Sequence, residues 1–110
     1  MSQPIIEIKQ GEIYWVNFSP TIGTEIRKIR PALIVFTSAK RFIALPITSK
    51  TEEVAEWQLV VKKLVKDRDG KILIDQIRAF DKQRLLRKIG EIKPEEMKKI
   101  SQKFKEMFSY

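Results

Sequence analysis

The sequence predicts a mainly β protein with short helices, built as a small barrel that carries one amphipathic helix at its C-terminal end. Short segments rich in β-branched and aromatic residues follow one another at close spacing through most of the chain, which is typical of small barrels. From Pro94 onward, apolar residues recur at helical spacing instead. Because 110 residues is an ordinary size for one folding unit with its own core, we expect residues 1–110 to form a single domain.

Five strands are predicted first, over residues 12–18, 31–37, 41–48, 57–63 and 71–74. The first alternates in a way that buries both faces, and the second is almost entirely apolar, as in a central strand. Pro46 cannot donate a hydrogen bond to a neighbouring strand, so we expect the end of the third strand to be an edge or a bulge, with Thr48 at the mouth of the barrel. Asp69-Gly70 predicts a tight turn before the fifth strand.

The remaining segments are predicted to mix strand and helix. Residues 75–81 should continue as a kinked strand, 82–86 as a single helical turn and 88–92 as a short strand. Pro94 suits the first turn of a helix, where Glu95 and Glu96 meet the positive end of the dipole. The apolar stripe of this helix should dock on the barrel or on a twin subunit; it consists of Met97, Ile100, Phe104, Met107 and Phe108.

Two absences from the composition narrow the chemistry. The chain has no cysteine, so it forms no disulfide framework and no thiolate metal site, which fits a reducing cytoplasm. It also has no histidine, which removes the commonest general base and the usual zinc ligand. A serine or cysteine hydrolase triad is therefore excluded, and we expect neither a metal nor a cofactor.

Charge and hydropathy indicate the partner and the location. Lys and Arg outnumber Asp and Glu by 22 to 14, a formal net charge of +8, which favours a polyanionic partner such as a nucleic acid. The longest apolar run, residues 32–36, is too short to span a bilayer. The N-terminus lacks the pattern of a signal peptide. We therefore expect a cytoplasmic protein without membrane contact.

A charged loop from Pro20 to Arg30 separates the first two predicted strands and is longer than a tight hairpin requires. Loops of this kind in a small domain are usually functional or disordered. Glu25 lies here within reach of Arg27, Lys28 and Arg30. This composition is typical of a phosphate-handling site, and it is equally typical of a solvated ion-pair cluster.

Three motifs in order resemble the MazF/PemK family of toxins, from about Gly11 to Ile92. The first comprises Gly11-Glu12-Ile13-Tyr14-Trp15-Val16-Asn17-Phe18-Ser19-Pro20, Gly23-Thr24-Glu25 and Arg30-Pro31-Ala32-Leu33-Ile34-Val35. The others are Leu45-Pro46-Ile47-Thr48-Ser49 and the Asp75-Gln76-Ile77-Arg78 segment. The resemblance implies an SH3-like barrel of the MazF/PemK/CcdB type and a homodimeric endoribonuclease. Such a toxin cuts single-stranded mRNA and is silenced by an antitoxin.

The resemblance also implies which residues act. Arg30, immediately before the proline that opens the second strand, matches the family's catalytic arginine, and Thr48 matches its catalytic threonine. Glu25 matches an acidic loop position used in some relatives, and we interpret it as the general base. Candidate RNA-binding residues are Thr24, Arg27, Lys28, Ser49, Lys50, Asp75, Gln76 and Arg78.

Two departures from the family pattern leave alternatives open. Asp75 matches a catalytic acid of PemK/Kid-type relatives, but Leu73 stands where those relatives carry an arginine. This difference argues against their version of the mechanism and favours Arg30 and Thr48 as the catalytic residues. Residues 26–29 also replace a glycine-containing stretch, so this loop should be stiffer and more basic. The competing hypotheses are a non-enzymatic toxin of the same fold that poisons DNA gyrase, and a basic SH3-like module that binds nucleic acid passively.

Overall fold

A computed structural model describes residues 7–19 and 28–109 of the chain, and these form seven strands and one α-helix. The strands are β1 (Glu12–Asn17), β2 (Ile29–Thr37), β3 (Arg41–Thr48), β4 (Gln58–Val65), β5 (Arg68–Leu73), β6 (Arg78–Asp81) and β7 (Leu85–Glu91). The helix, α1, spans Pro94–Met107, and short 3-10 turns cover Ile74–Gln76 and Lys82–Arg84. The predictions made for Thr24, Glu25 and Arg27 lie outside the described residues.

The strands form one antiparallel sheet in the order β4-β5-β3-β2-β1-β7, with β6 paired to β3 outside this path. The two ends of the order, β4 and β7, come into contact, so the sheet curls into a half-barrel. This architecture confirms the predicted mainly β barrel with a C-terminal helix.

Strand β3 is the central strand of the sheet because it changes partners along its length. Its first half pairs with β6 from Arg41 to Ala44, whereas Ile47 and Thr48 pair with β5. On the other side it pairs with β2 as far as Pro46, which lies opposite Ala32. At Pro46, β3 is therefore paired on the β2 side only, because the ladder on its other side is interrupted at Leu45 and Pro46. The imino nitrogen falls where β3 passes from one partner to the next, at the point where a ladder hydrogen bond is least needed.

The sheet is buried on both faces, as the alternation in β1 predicts. One apolar cluster lies between the sheet and α1 and includes Ile13, Leu33 and Leu45. The residues that alternate with them pack into a second cluster around Phe42, whose ring stacks on Phe80 at a centroid distance of 5.2 Å. Because each face has its own core, a shift of one residue in register would disrupt both cores at once.

The turn between β4 and β5 lies at Lys66-Asp67, and the prediction of a turn at Asp69-Gly70 is wrong. Both turn residues have positive φ, 49° and 62°, the backbone of a two-residue hairpin turn that matches the twist of its strands. Gly70 lies within β5 for a different reason. A Cβ at this position would lie 3.0 Å from Ile47 and 3.1 Å from Leu64, so glycine permits close packing here.

The C-terminal part follows the sequence prediction except at its start. Residues 74–76 form a 3-10 turn instead of continuing a strand, and β6 begins only at Arg78. The helical turn at Lys82–Arg84 and the helix from Pro94 are confirmed. Ile100 is fully buried, and the partly buried Phe104 packs against the same cluster. The stripe therefore docks on the barrel, as predicted, although Phe108 at its end stays 64% exposed.

None of the helices within residues 7–19 and 28–109 is long and apolar enough to cross a membrane.

Candidate active site

A groove of about 1050 Å³ opens where the ends of β2 and β3 meet the β4–β5 hairpin. We call it the basic groove. The described residues that line it are Trp15, Arg30, Pro31, Ile47, Thr48, Ser49, Lys50, Gln58, Val65, Lys66, Arg68, Asp69, Gly70, Lys71, Leu73 and Gln76. The ends of β2 and β3 and the β4–β5 hairpin thus form one concave surface, which is where ligand sites usually form.

Strand pairing brings Arg30 and Thr48 into this groove together. The register of β2 and β3 pairs Ala32 with Pro46, and Arg30 and Thr48 each lie two residues beyond that pair towards the same end of the sheet. Residues two apart on a strand point to the same face. The guanidinium and the hydroxyl that the sequence predicts to act together therefore extend from neighbouring strands on one face.

The local geometry leaves both groups able to donate to a ligand. Thr48 is half-buried, and its Oγ1 accepts a hydrogen bond from the backbone N–H of Lys50 at 3.2 Å. This contact orients the side chain and leaves the hydroxyl proton available as a donor. Arg30 is exposed, and within residues 7–19 and 28–109 no carboxylate forms an ion pair with it. Its five N–H donors suit an anion.

The groove has a strongly positive potential because its charges are almost all of one sign. Among its described residues, five are cationic, namely Arg30, Lys50, Lys66, Arg68 and Lys71. The single acid is Asp69, whose Oδ1 accepts a hydrogen bond from the backbone N–H of Lys63 at 3.0 Å. A concave surface with this charge distribution concentrates anions such as the phosphates of a nucleic acid.

The predicted RNA-binding residues divide into two sets. Ser49, Lys50 and Gln76 line the basic groove together with Arg30 and Thr48. Lys28 and Asp75 are exposed but are not among the groove residues.

Arg78 also lies outside the groove. Its guanidinium lies over the ring of Phe80 at 4.7 Å and donates a hydrogen bond to the backbone oxygen of Phe18 at 3.4 Å. This side chain therefore covers the second apolar cluster.

Several groove residues were not predicted from the sequence, among them Trp15, Lys66 and Lys71. Trp15 and Lys66 belong to β1 and to the β4–β5 turn, far apart in the chain, so no local motif links them. Lys71 is only 8% exposed and donates from Nζ to the backbone oxygen of Glu52 at 3.1 Å. A lysine within an apolar strand pattern was the available signal for this residue, because lysine is rarely buried without a reason.

Comparisons with known proteins agree with this architecture. Residues 9–108 match the sequence profile of the family described as the PemK-like, MazF-like toxin of type II toxin-antitoxin system. Endoribonuclease EndoA from Bacillus subtilis is 32% identical over 103 residues, which is 86% of this chain and 89% of that protein.

Solved structures share the fold. The crystal structure of MazF from Deinococcus radiodurans superposes with a TM-score of 0.73 at 22% identity, covering 91% of this chain and 94% of that one. A mycobacterial endoribonuclease in complex with its cognate antitoxin gives a TM-score of 0.72 at 20% identity, covering 94% and 99%. The resemblance seen in the sequence motifs is thereby confirmed: the chain belongs to the PemK-like, MazF-like family of toxins of type II toxin-antitoxin systems.

Proposed function

We propose that this protein is a sequence-selective endoribonuclease that cuts single-stranded mRNA as the toxin of a type II toxin-antitoxin system. The observation that carries the proposal is the arrangement of Arg30 and Thr48 on one face of a cationic groove. The relative EndoA, which is named an endoribonuclease, supports the same activity. A passive nucleic-acid-binding module would need the groove's charge but not this pairing of a guanidinium with an oriented hydroxyl.

The reaction is an internal transesterification. The ribose 2′-oxygen attacks the adjacent phosphorus, and the bond from phosphorus to the 5′-oxygen breaks. The products are a 2′,3′-cyclic phosphate and a free 5′-hydroxyl. The enzyme supplies no covalent nucleophile, so its tasks are to accept the 2′-proton, to stabilise the extra charge on phosphorus and to help the 5′-oxygen leave.

Arg30 stabilises the charge that develops on the phosphate. Its planar fork of N–H donors matches two phosphate oxygens at once. The pentacoordinate transition state carries more negative charge on these oxygens than the substrate does. The guanidinium therefore binds the transition state more tightly than the ground state, which is the condition for acceleration.

Thr48 adds a directed hydrogen bond to the same phosphate. Because its Oγ1 already accepts from the N–H of Lys50, the hydroxyl group is held in one orientation. A donor that needs no reorientation during the reaction costs little and acts on the charge as it forms. Ser49 and Gln76 line the same groove, and their polar groups would contact the flanking nucleotides.

The proton acceptor is assigned to Glu25, with Thr24 and Arg27 positioning the RNA beside it. This assignment rests on the matching loop motif in the sequence. A carboxylate can serve as the base for a 2′-hydroxyl when it lies within hydrogen-bonding reach. Since guanidinium is a weak proton donor, we assign Arg30 to charge stabilisation. The 5′-oxygen takes its proton from water as its bond to phosphorus breaks, which gives the free 5′-hydroxyl.

The proposed reaction uses side chains alone and therefore needs no metal. In the cell, we propose that the chain forms a homodimer in the cytoplasm and is held inactive by an antitoxin protein. The mycobacterial neighbour solved with its cognate antitoxin supports such a partnership. Light scattering of the purified protein, alone and with the candidate antitoxin, measures both assemblies directly.

The deciding experiment is cleavage of one long single-stranded RNA in excess EDTA, with the cut sites mapped by primer extension. We expect discrete cuts and 2′,3′-cyclic phosphate ends. Arg30→Ala should remain folded and should lose at least about 100-fold in rate, the usual effect of removing a transition-state donor.

Arg41→Ala is the matched control, because Arg41 is an exposed arginine at the opposite end of β3. It should cut like the parent. Equal rates for Arg30→Ala and the parent would refute the site assignment, and intact RNA with the parent protein would refute the activity.

A further inference from the structure

Trp15 has an unusual position for a large aromatic residue in a strand. It lies in β1 opposite Pro31, is half-buried, and lines the basic groove that Arg30 and Thr48 also line. Within residues 7–19 and 28–109 it is the only aromatic side chain that lines the groove. The indole is therefore available to a nucleotide bound in this groove.

Core packing does not account for this indole. The neighbouring residues Ile13, Tyr14 and Val16 each belong to one of the two apolar clusters, whereas Trp15 belongs to neither of them. Burial of a large ring is usually its main contribution to stability. Because Trp15 is half-buried and outside both cores, part of its ring is open to a ligand, and unlike Trp57 it lines the basic groove.

A cation from another part of the barrel covers this ring. The ammonium of Lys66 lies 5.6 Å from the centroid of Trp15, within the range of a cation–π contact. Lys66 is exposed and occupies the tip of the β4–β5 hairpin with a positive φ of 49°. Because a flexible lysine at an exposed turn is held only weakly by such a contact, a ligand can displace it from the ring.

We propose that Trp15 is the stacking platform for one nucleobase next to the cleaved phosphodiester, and that Lys66 leaves the indole to bind the adjoining phosphate. Stacking uses the face of the base, so it positions the RNA without reading an edge. Lys66 loses its cation–π contact with the indole and gains an ion pair with the phosphate. The exchange therefore adds a phosphate contact when the base stacks on Trp15. The inference deepens the proposed endoribonuclease activity and rests on it.

The second tryptophan provides an internal control. Trp57 is also half-buried and is also covered by a lysine, since Lys103 lies 5.9 Å from its centroid. It does not line the basic groove. The two indoles therefore have similar surroundings, and only one of them lies where RNA would bind.

Fluorescence separates the two indoles. The probe is a short single-stranded RNA that spans a mapped cut site and carries a 2′-deoxy sugar at the cleaved nucleotide, which prevents the reaction. In Trp57→Phe, where Trp15 is the only indole, we expect the RNA to quench emission strongly and saturably. In Trp15→Phe, where Trp57 remains, emission should change little while the RNA still binds.

The stacking contact can also be tested by removing either of its two partners, the indole of Trp15 or the nucleobase of the RNA. Trp15→Leu should weaken binding of the probe by about 5- to 150-fold, the usual range for loss of one base stack. One abasic nucleotide next to the cut site should weaken binding to the parent by a similar factor. The same abasic probe should cause no further loss in Trp15→Leu, because the two changes remove one contact.

Two results would overturn the inference while leaving the endoribonuclease assignment intact. One is unchanged Trp15 emission in Trp57→Phe when the 2′-deoxy probe binds, while the same variant still cuts the unmodified RNA. The other is additive losses from the abasic site and Trp15→Leu at every position of the probe. Failure of the parent protein to bind or cut any RNA would instead remove the proposed function and this inference together.

Discussion

Arg30 and Thr48 lie at the same end of two neighbouring antiparallel strands, each two residues beyond the Ala32–Pro46 pair. Eighteen positions separate them in the chain, yet the sheet directs both side chains into one groove. A pair held by strand backbones is more rigid than a pair held by loops. This relationship makes the site sensitive to small changes in either side chain.

Replacing Thr48 by valine keeps the side-chain shape and removes the hydroxyl. We expect kcat to fall about 10- to 1000-fold, as when a transition-state donor is lost, with a smaller change in KM. Single-turnover cleavage of the mapped RNA measures the chemical step. Thr48→Ser restores the donor and should recover most of the rate. A fully active Thr48→Val would exclude the hydroxyl from catalysis.

Replacing Lys50 by methionine should weaken RNA binding similarly for all sequences. Lys50 is exposed and lines the groove beside Thr48, so we expect it to contact a phosphate rather than a base. The slope of log K against log salt should become shallower by about 0.7 for a single strand. Lys98→Met, an exposed lysine of α1 outside the groove, should leave the slope unchanged. Equal slopes for all three proteins would contradict the assignment of Lys50.

A methyl group at Gly70 should destabilise the barrel. Its Cβ would lie 3.0 Å from Ile47 and 3.1 Å from Leu64, so the free energy of unfolding should fall by about 1 to 3 kcal/mol, as for an overpacked core. Gly90→Ala is the matched control, because nothing lies within 4 Å of the added carbon. It should change stability by less than about 1 kcal/mol. Urea unfolding followed by circular dichroism compares the two, and equal losses would contradict the packing argument.

Glu12 should make folding sensitive to acid. Burial raises the pKa of its carboxyl, but hydrogen bonds from Nζ of Lys88 and from the backbone N–H of Lys9, both 2.7 Å long, outweigh burial and hold the pKa below 4.5. A carboxyl whose pKa is lowered by folding stabilises the native state above its unfolded pKa. That contribution is lost as the pH falls through the folded value.

We therefore expect the free energy of unfolding to be constant near neutrality and to decline as the pH drops below about 4.5. Glu12→Gln should be less stable by about 1 to 2 kcal/mol at pH 7, the usual cost of losing charge-assisted hydrogen bonds. Its stability should approach that of the parent in acid. Glu53→Gln, at an exposed position in the loop before β4, should keep the acid dependence of the parent. Parallel pH profiles for Glu12→Gln and the parent would contradict this account.

Local signals predicted most of the secondary structure because they depend on neighbouring residues. Alternation and continuous apolar runs predicted the first four strands, and Pro94 with the apolar stripe predicted the helix. The turn was misplaced because Asp69-Gly70 has the composition of a hairpin turn, whereas the actual turn at Lys66-Asp67 places two non-glycine residues at positive φ. Gly70 is required by the side chains of Ile47 and Leu64, which a local pattern cannot reveal.

The amino-acid sequence was sufficient to indicate the family and the barrel class and to predict Arg30 and Thr48 as site residues, because ordered motifs and charge are properties of the chain. The tertiary structure was needed to show that Trp15, Lys66 and Lys71 line the same groove. It also showed that Arg78 packs over Phe80 and lies outside the groove. The physical reason is distance along the chain. Contacts between β1 and the β4–β5 hairpin depend on how the sheet curls, and the curl arises from twist and packing over the whole barrel rather than from any short segment.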